Sequence, residues 1–456
     1  MLPGIKTHPL NLTREPVPKL IRSIAVPASV GFFFNTMFNI VDTYFGGTIS
    51  TQALAALSLS FPVFFIILAL GSGFATGTTA LIATALGASL KPQAKMFAIQ
   101  GITFGVLMSM GITVLGIWSS PWLFTMLGAS GEYLAMCLVY MDIIFLGTVF
   151  FILNFMLNAI LNALGDTRSF RNFLIVSFFL NIVLDFWFIY GGAGVPPMGI
   201  AGIAVATILI QALGSVYLGF QVSRTELICD RCSRDMIPKL HVVKEIARQG
   251  IPSSMNLMTV GLGVFVITYF ISSFGKEAVA AYGVAIRIEQ LVLLPTIGLN
   301  IATVTIVAQN NGARLYERIN EVVRTALAYG GVLMVMGTIV MFFLSPHLMK
   351  CFTDDPLVVD IGTVYLRIAS FLLYAYVILF VNVAALQGLK QPMYGLIIGF
   401  IRQVALPVPI FYFLGHYLDL GLISIWWGIF AINWSSAMAT FFYARAVLIK
   451  TTGALS

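Results

Sequence analysis

Residues 39–47 read NIVDTYFGG and residues 264–272 read VFVITYFIS. Both contain V-x-T-Y-F, and the open position is Asp42 in the first and Ile267 in the second. Each stretch lies inside an apolar run long enough to cross a bilayer. One copy of a repeated element therefore carries a carboxylate where its counterpart carries a side chain suited to lipid. Fold and function both follow from explaining that difference.

The surroundings set the class. Of 456 residues, 59% are hydrophobic and 9% charged, and the mean hydropathy is +0.96. Soluble domains average about 45–50% apolar and about 25% charged residues. With 41 glycines and no ten-residue alternation of the barrel type, the chain reads as an all-α polytopic membrane protein. Apolar runs of about 20 residues predict twelve spans, near 18–45, 53–80, 95–119, 132–160, 171–191, 199–222, 245–271, 278–307, 322–345, 358–386, 393–415 and 421–446. The first run follows Lys19 and Arg22 and is too long for the core of a cleavable signal. Basic residues gather at the N-terminus and in every second loop: Lys6, Lys91, Arg168, Arg231, Arg234, Lys244, Arg318, Lys390 and Lys450. The positive-inside rule then places both termini in the cytoplasm. The net charge of +7 is a topology signal, and no nucleic-acid partner is expected.

The repeat extends far beyond the opening stretch. Pro27 aligns with Pro252, and 252 − 27 = 225. The same offset pairs Ala53 with Ala278, Gly73 with Gly298, Thr78 with Thr303, Tyr140 with Tyr365 and Leu161 with Leu386. An even number of spans per copy makes the copies parallel, related by a pseudo-twofold axis along the membrane normal. The predicted organisation is a lobe of six helices over 1–222, a cytoplasmic linker over 223–244 and a second six-helix lobe over 245–456. Such a pair suits alternating access.

The acids within spans are Asp42, Asp142, Asp185 and Glu289. Under the repeat register Asp42 faces Ile267 and Asp185 faces Ile410, so the deep carboxylates read as confined to the first half. An ionisable group at mid-membrane costs about 2.5–3.5 kcal/mol on the insertion scale and normally faces a cavity or a partner. Asn35, Asn39 and Asp42 share one face of span 1; Asn181 and Asp185 stand at i, i+4 on span 5; Asn154, Asn158 and Asn162 repeat that spacing on span 4; span 6 offers Thr207. If these faces meet, two carboxylates in a low-dielectric space cannot easily both ionise, which makes a proton-binding device and equally a ligand set for a small hard cation. The amides also fit interhelical hydrogen bonding. Asp142 and its counterpart Arg367 carry opposite signs and read as a pairing or snorkelling couple. Pro27, inside span 1, is expected to bend it. Phe38, Asn35, Asn39 and Asn154 are candidates for a substrate-facing surface.

Other chemistry is poorly supported. Cys229 and Cys232 form a CxxC with no second pair, and His8, His241, His347 and His416 sit in the tail or near span ends at no ligand spacing. No enzyme activity, no cofactor and no firmly assigned metal are expected.

VPASVGFFFNTMFNIVDTYFGG, NALGDTRS, LNIVLDFWFIYG, GIAGIAVAT and AIRIEQLVLLPTIGLNIATVTIVAQNNGA together resemble the multidrug and toxic compound extrusion (MATE) family over nearly the whole chain. Acids in the first half without an acid in spans 7 and 10 are similar to its DinF-like branch. The resemblance implies the MATE fold of the MOP superfamily and an efflux antiporter expelling amphipathic, often cationic compounds in exchange for protons, or alternatively sodium. It also implies a monomer in the plasma membrane of a bacterium or archaeon, with lipids and small molecules as its partners. Carried over, Asp42, Asn181, Asp185 and Thr207 match the family's cation site, with Asn158 a further polar member. Phe38 departs from a tyrosine found in some DinF-like relatives. A lipid-precursor flippase of the same superfamily is a further alternative; it would want a basic cavity, whereas the deep charges here are mostly acidic.

Overall fold

The computed structural model describes residues 10–192, 194–228, 236–418 and 420–452. Lys6, His8, Cys229, Arg231, Cys232 and Arg234 lie outside the described residues, as does the side chain of His416. Among the described residues there is no strand, only one isolated bridge between Gly192 and Val195. The helices are α1 (Val17–Ile49), α2 (Thr51–Gly87), α3 (Lys91–Met126), α4 (Gly131–Leu146), α5 (Thr148–Ala163), α6 (Arg168–Tyr190), α7 (Ile200–Ser223), α8 (Leu240–Ser272), α9 (Lys276–Gly312), α10 (Tyr316–Lys350), α11 (Pro356–Ser370), α12 (Leu373–Gly388), α13 (Met393–Phe400), α14 (Pro407–Tyr412) and α15 (Leu422–Thr452).

Among the described residues, ten helices are long and apolar enough to cross a membrane, and twelve spans result when α4–α5 and α11–α12 each count as one bent span. The prediction of two unbroken helices there is corrected: the first pair bends by 45° and the second by 51°. The cause is the same in both repeats. Thr113 Oγ1 donates to the carbonyl of Phe145 at 2.6 Å, and Thr338 Oγ1 to the carbonyl of Ser370 at 2.7 Å. These two bonds are related residue for residue by the offset of 225. A hydroxyl from a neighbouring helix takes a carbonyl out of the i→i−4 ladder, and the helix breaks there. In the first copy the corner also needs Gly147, because a Cβ there would overlap the Ile208 side chain.

The span over 393–415 is also irregular. Pro407 and Pro409 lack N–H groups and their rings crowd the carbonyls four residues back. Around them the ladder slips to i→i−5 in two π-helical turns, Ile401–Ala405 and Phe413–Tyr417, with Leu406 N–H donating to Ile401 O at 2.8 Å.

Loops repeat as well. Ser89 and Arg314, again 225 apart, both close their helices in the left-handed region, at φ 61° and 58°. Leu90 N–H then reaches Ala85 O and Leu315 N–H reaches Asn310 O, each at 2.9 Å, satisfying carbonyls that a helix end leaves open.

The chain divides into two compact units, residues 30–254 and residues 1–29 with 255–456. The divisions fall two residues after Pro27 and two after Pro252, so α1 and α8 each contribute to both units. Within the 30–254 unit, Leu81, Ile82, Phe97, Ile144, Ile152 and Ile160 are buried, whereas Val114, Trp118 and Trp122 are exposed as lipid-facing side chains are. The other unit packs Leu12, Leu20, Ile24, Ala281, Leu366, Val377 and Trp426 in one cluster. Pro27 lies within a helix assigned without interruption from Val17 to Ile49.

Candidate functional site

Asp42 of α1 and Asp185 of α6 converge within the 30–254 unit. Asn181, one helical turn before Asp185, donates both hydrogens of its side-chain amide: Nδ2 reaches Asp42 Oδ1 at 2.8 Å and Asp185 Oδ2 at 3.0 Å. Sharing one amide brings the two carboxyl groups close enough that both cannot easily be ionised together. Asn181 and Asp185 are 0% exposed, while Asp42 is only partly covered. The i, i+4 spacing on α6 aims amide and acid at the same point, and Asp42 meets them from α1.

Several buried oxygens on α5, α6 and α7 are under-satisfied. Asn181 Oδ1, Asp185 Oδ1, Thr207 Oγ1, Asn158 Oδ1 and Ser177 Oγ are all buried with no hydrogen-bond partner. Buried polar atoms are ordinarily paired, and each exception calls for a ligand or a strain. Here the exceptions fall on α5, α6 and α7 and are oxygens, the atoms a hard monovalent cation or a water prefers. Ser177 stands one turn before Asn181 on the same face. Sequence reading left it out because a serine in a span is most often bonded to its own helix.

The other asparagines serve different ends. Asn154 is fully used, donating to Gln211 O at 2.9 Å and Gln211 Oε1 at 2.8 Å and accepting from Ser215 Oγ at 2.9 Å, so it ties α5 to α7. Asn39 bonds the carbonyl of Asn35 on its own helix at 2.8 Å. Phe38 is buried. Asp142 accepts from Ser120 Oγ at 3.5 Å, and Arg367 lies over the Phe342 ring at 5.8 Å.

One feature escaped sequence reading, and another was named there without its depth. Tyr140 of α4 is buried and lies within electrostatic reach of both Asp42 and Asp185; its shared register with Tyr365 was the available signal. The expectation that the second half carries no deep carboxylate is corrected: Glu289 is 4% exposed and accepts from Tyr365 at 2.9 Å. Position-by-position alignment hid it, because Glu289 is matched to Phe64 and enters from α9 rather than from the counterparts of α1 or α6.

Comparison with known proteins supports this architecture. The family model MatE matches twice, over 27–187 and 252–413, so each repeat is recognised by itself, from its proline onward. The chain is 27% identical over 450 residues to "Probable multidrug resistance protein NorM" of Thermotoga maritima, covering 96% of this chain and 97% of that protein. It is 26% identical over 439 residues to "Multidrug export protein MepA" of Staphylococcus aureus (96% and 94%), and 26% identical over 410 residues to "FAD transporter" of Shewanella oneidensis (90% and 90%). Among solved structures, an outward-facing multidrug resistance transporter of the MOP superfamily aligns with a TM-score of 0.91 at 26% identity, over 98% of this chain and 99% of that one. A Pyrococcus furiosus transporter of the same superfamily, described as having a binding pocket of reversed polarity, aligns equally well, with a TM-score of 0.91.

Proposed function

The chain belongs to the MatE family of membrane transporters, and from that premise we propose that it is a proton-coupled efflux antiporter of the plasma membrane, with cytoplasmic termini, exporting amphipathic and cationic organic compounds by alternating access. The observation that carries this reading is the single amide of Asn181 bridging two carboxylates from different helices.

With one proton between them the acids form a compact unit of one negative charge. Losing that proton leaves two negative charges a short distance apart in a poorly solvated place, which is costly until a positive ion joins them. A proton arriving from outside and a cationic substrate arriving from inside therefore compete for the same charge. Occupancy by one weakens the hold on the other, and that differential is what an exchanger needs. The names of the relatives support the substrate class: one is a multidrug export protein and another a probable multidrug resistance protein.

Sodium is the second reading, and a specific observation favours it. The unpartnered oxygens of Asn158, Asn181, Asp185 and Thr207 supply the neutral and anionic ligands that sodium would need, and a proton would not use them all.

Proteoliposomes loaded with ethidium separate the two readings. A proton gradient in sodium-free buffer is expected to drive efflux by the wild type and none by Asp42→Asn. Full activity in Asp42→Asn would remove the reading; efflux driven only by a sodium gradient would replace the proton with sodium at the same residues.

A further inference from the structure

The second repeat holds a buried acid that this exchange scheme does not use. Tyr365 of α11 donates its hydroxyl to Glu289 Oε2 at 2.9 Å, and Tyr376 of α12 lies within electrostatic reach of the same carboxylate. Tyr282, on the same helix as Glu289, packs with Tyr365 and Trp426 at ring-centroid distances of 5.5 and 6.0 Å. Arg402 approaches from the π-helical turn at 401–405. It is 9% exposed, its Nη1 donates to Asn433 Oδ1 at 2.7 Å, and its guanidinium lies 5.8 Å from the Tyr376 ring centre. The titratable and charged groups facing Glu289 are thus Tyr282 from α9, Tyr365 from α11, Tyr376 from α12 and Arg402 from the π-helical turn.

Glu289 and Arg402 attract one another, yet no ion pair joins them among the described residues. Each charge is held by a neutral partner instead. Opposite charges buried without direct contact are a poor source of stability, since an apolar pair of similar volume commonly does as well or better. Phenol groups, by contrast, suit a carboxyl that changes state: they donate to it when it is ionised and accept from it when it is protonated. Arginine keeps its charge throughout, and π-helical turns are frequent at functional sites.

The location strengthens the case. Tyr365 is the repeat counterpart of Tyr140, which lies within electrostatic reach of Asp42 and Asp185. Arg402 is the counterpart of Ser177, one turn from Asn181. Both repeats therefore place a carboxylate within electrostatic reach of the same tyrosine, approached from different helices.

We propose that Glu289 is a second proton-exchanging carboxylate, seated in the second repeat where the aspartate pair sits in the first, with Arg402 as its internal counter-charge. The proposal does not depend on the aspartate site and is tested apart from it.

The test is the acid-minus-alkaline infrared difference spectrum of the purified protein, read in the region of protonated carboxyl groups. Glu289→Gln keeps the side-chain volume and an acceptor for Tyr365. The expected result is a carboxyl band present in the wild type and in the Asp42→Asn/Asp185→Asn double variant, and absent from Glu289→Gln. Identical wild-type and Glu289→Gln spectra would overturn the proposal, as would a spectrum in which every carboxyl band is lost in the double variant; a further band that belongs to the aspartate pair and is kept in Glu289→Gln sits beside the Glu289 band and leaves the expected result standing. Should Glu289→Gln fail to fold, Tyr365→Phe decides. Loss of the hydroxyl donor is expected to move the frequency of the band, and an unmoved band overturns the assignment.

Discussion

The two repeats are alike in backbone devices and unlike in buried charge. Thr113 and Thr338 break equivalent helices through equivalent carbonyls, Ser89 and Arg314 close equivalent turns, and Tyr140 and Tyr365 lie within electrostatic reach of deep acids. In the first repeat those acids are two aspartates bridged by an amide, and α5, α6 and α7 carry orphaned oxygens. In the second the acid is one glutamate with an arginine across the cluster. Backbone geometry is what a helical bundle cannot change cheaply, because every bend is set by packing against neighbours. Interior charge is what a transporter varies to choose its ions.

The comparison breaks most readily by forcing the copies to match. Ile267 is buried and has no equivalent of the amide bridge on its facing helix, where Asp185 is matched by Ile410. Ile267→Asp is expected to cost about 2.5–3.5 kcal/mol, the insertion penalty of a lone acid. A thermal melt in detergent checks it, and an unchanged melting temperature would mean that the second repeat has a ready-made partner at that point. Gly147→Ala is next. Its Cβ would sit within the Ile208 side chain, and overpacking of this kind costs about 1–3 kcal/mol, again read as a fall in Tm.

The shared devices should respond alike. Thr113→Val and Thr338→Val each delete one hydroxyl-to-carbonyl bond and leave the shape intact, for a loss of about 0.5–1.5 kcal/mol apiece. A large loss in one copy and none in the other would show that the bends are not equivalent. The smallest effect is expected at the surface. Lys91 hydrogen-bonds Glu226 at 2.7 Å and holds that carboxyl below its usual range. A depressed carboxylate contributes above its unfolded-state range and loses that contribution as the pH falls through its folded value. Both side chains are exposed, however, so Lys91→Ala should leave Tm unchanged at neutral pH.

Much of the scaffold was legible in the sequence. Apolar runs gave the twelve spans, the constant offset gave the duplication, and the i, i+4 placement of Asn181 and Asp185 anticipated the amide that joins the acids. The bends at Gly147 and Leu372 were not legible, because their cause is a hydroxyl on a different helix and neither corner carries a proline. The π-helical turns escaped because one extra residue per turn leaves hydropathy unchanged. Glu289 was misjudged for a similar reason: comparing aligned positions finds acids that replace each other, and misses an acid reaching the equivalent place from another helix.

The central claim is that the Asp42–Asp185 pair gives up a positive ion when substrate binds. The direct measurement is proton release by the purified protein, in weak sodium-free buffer, as tetraphenylphosphonium is added. The account predicts release that saturates with binding and that Asp42→Asn diminishes. Saturable binding with no proton released by the wild type would contradict it.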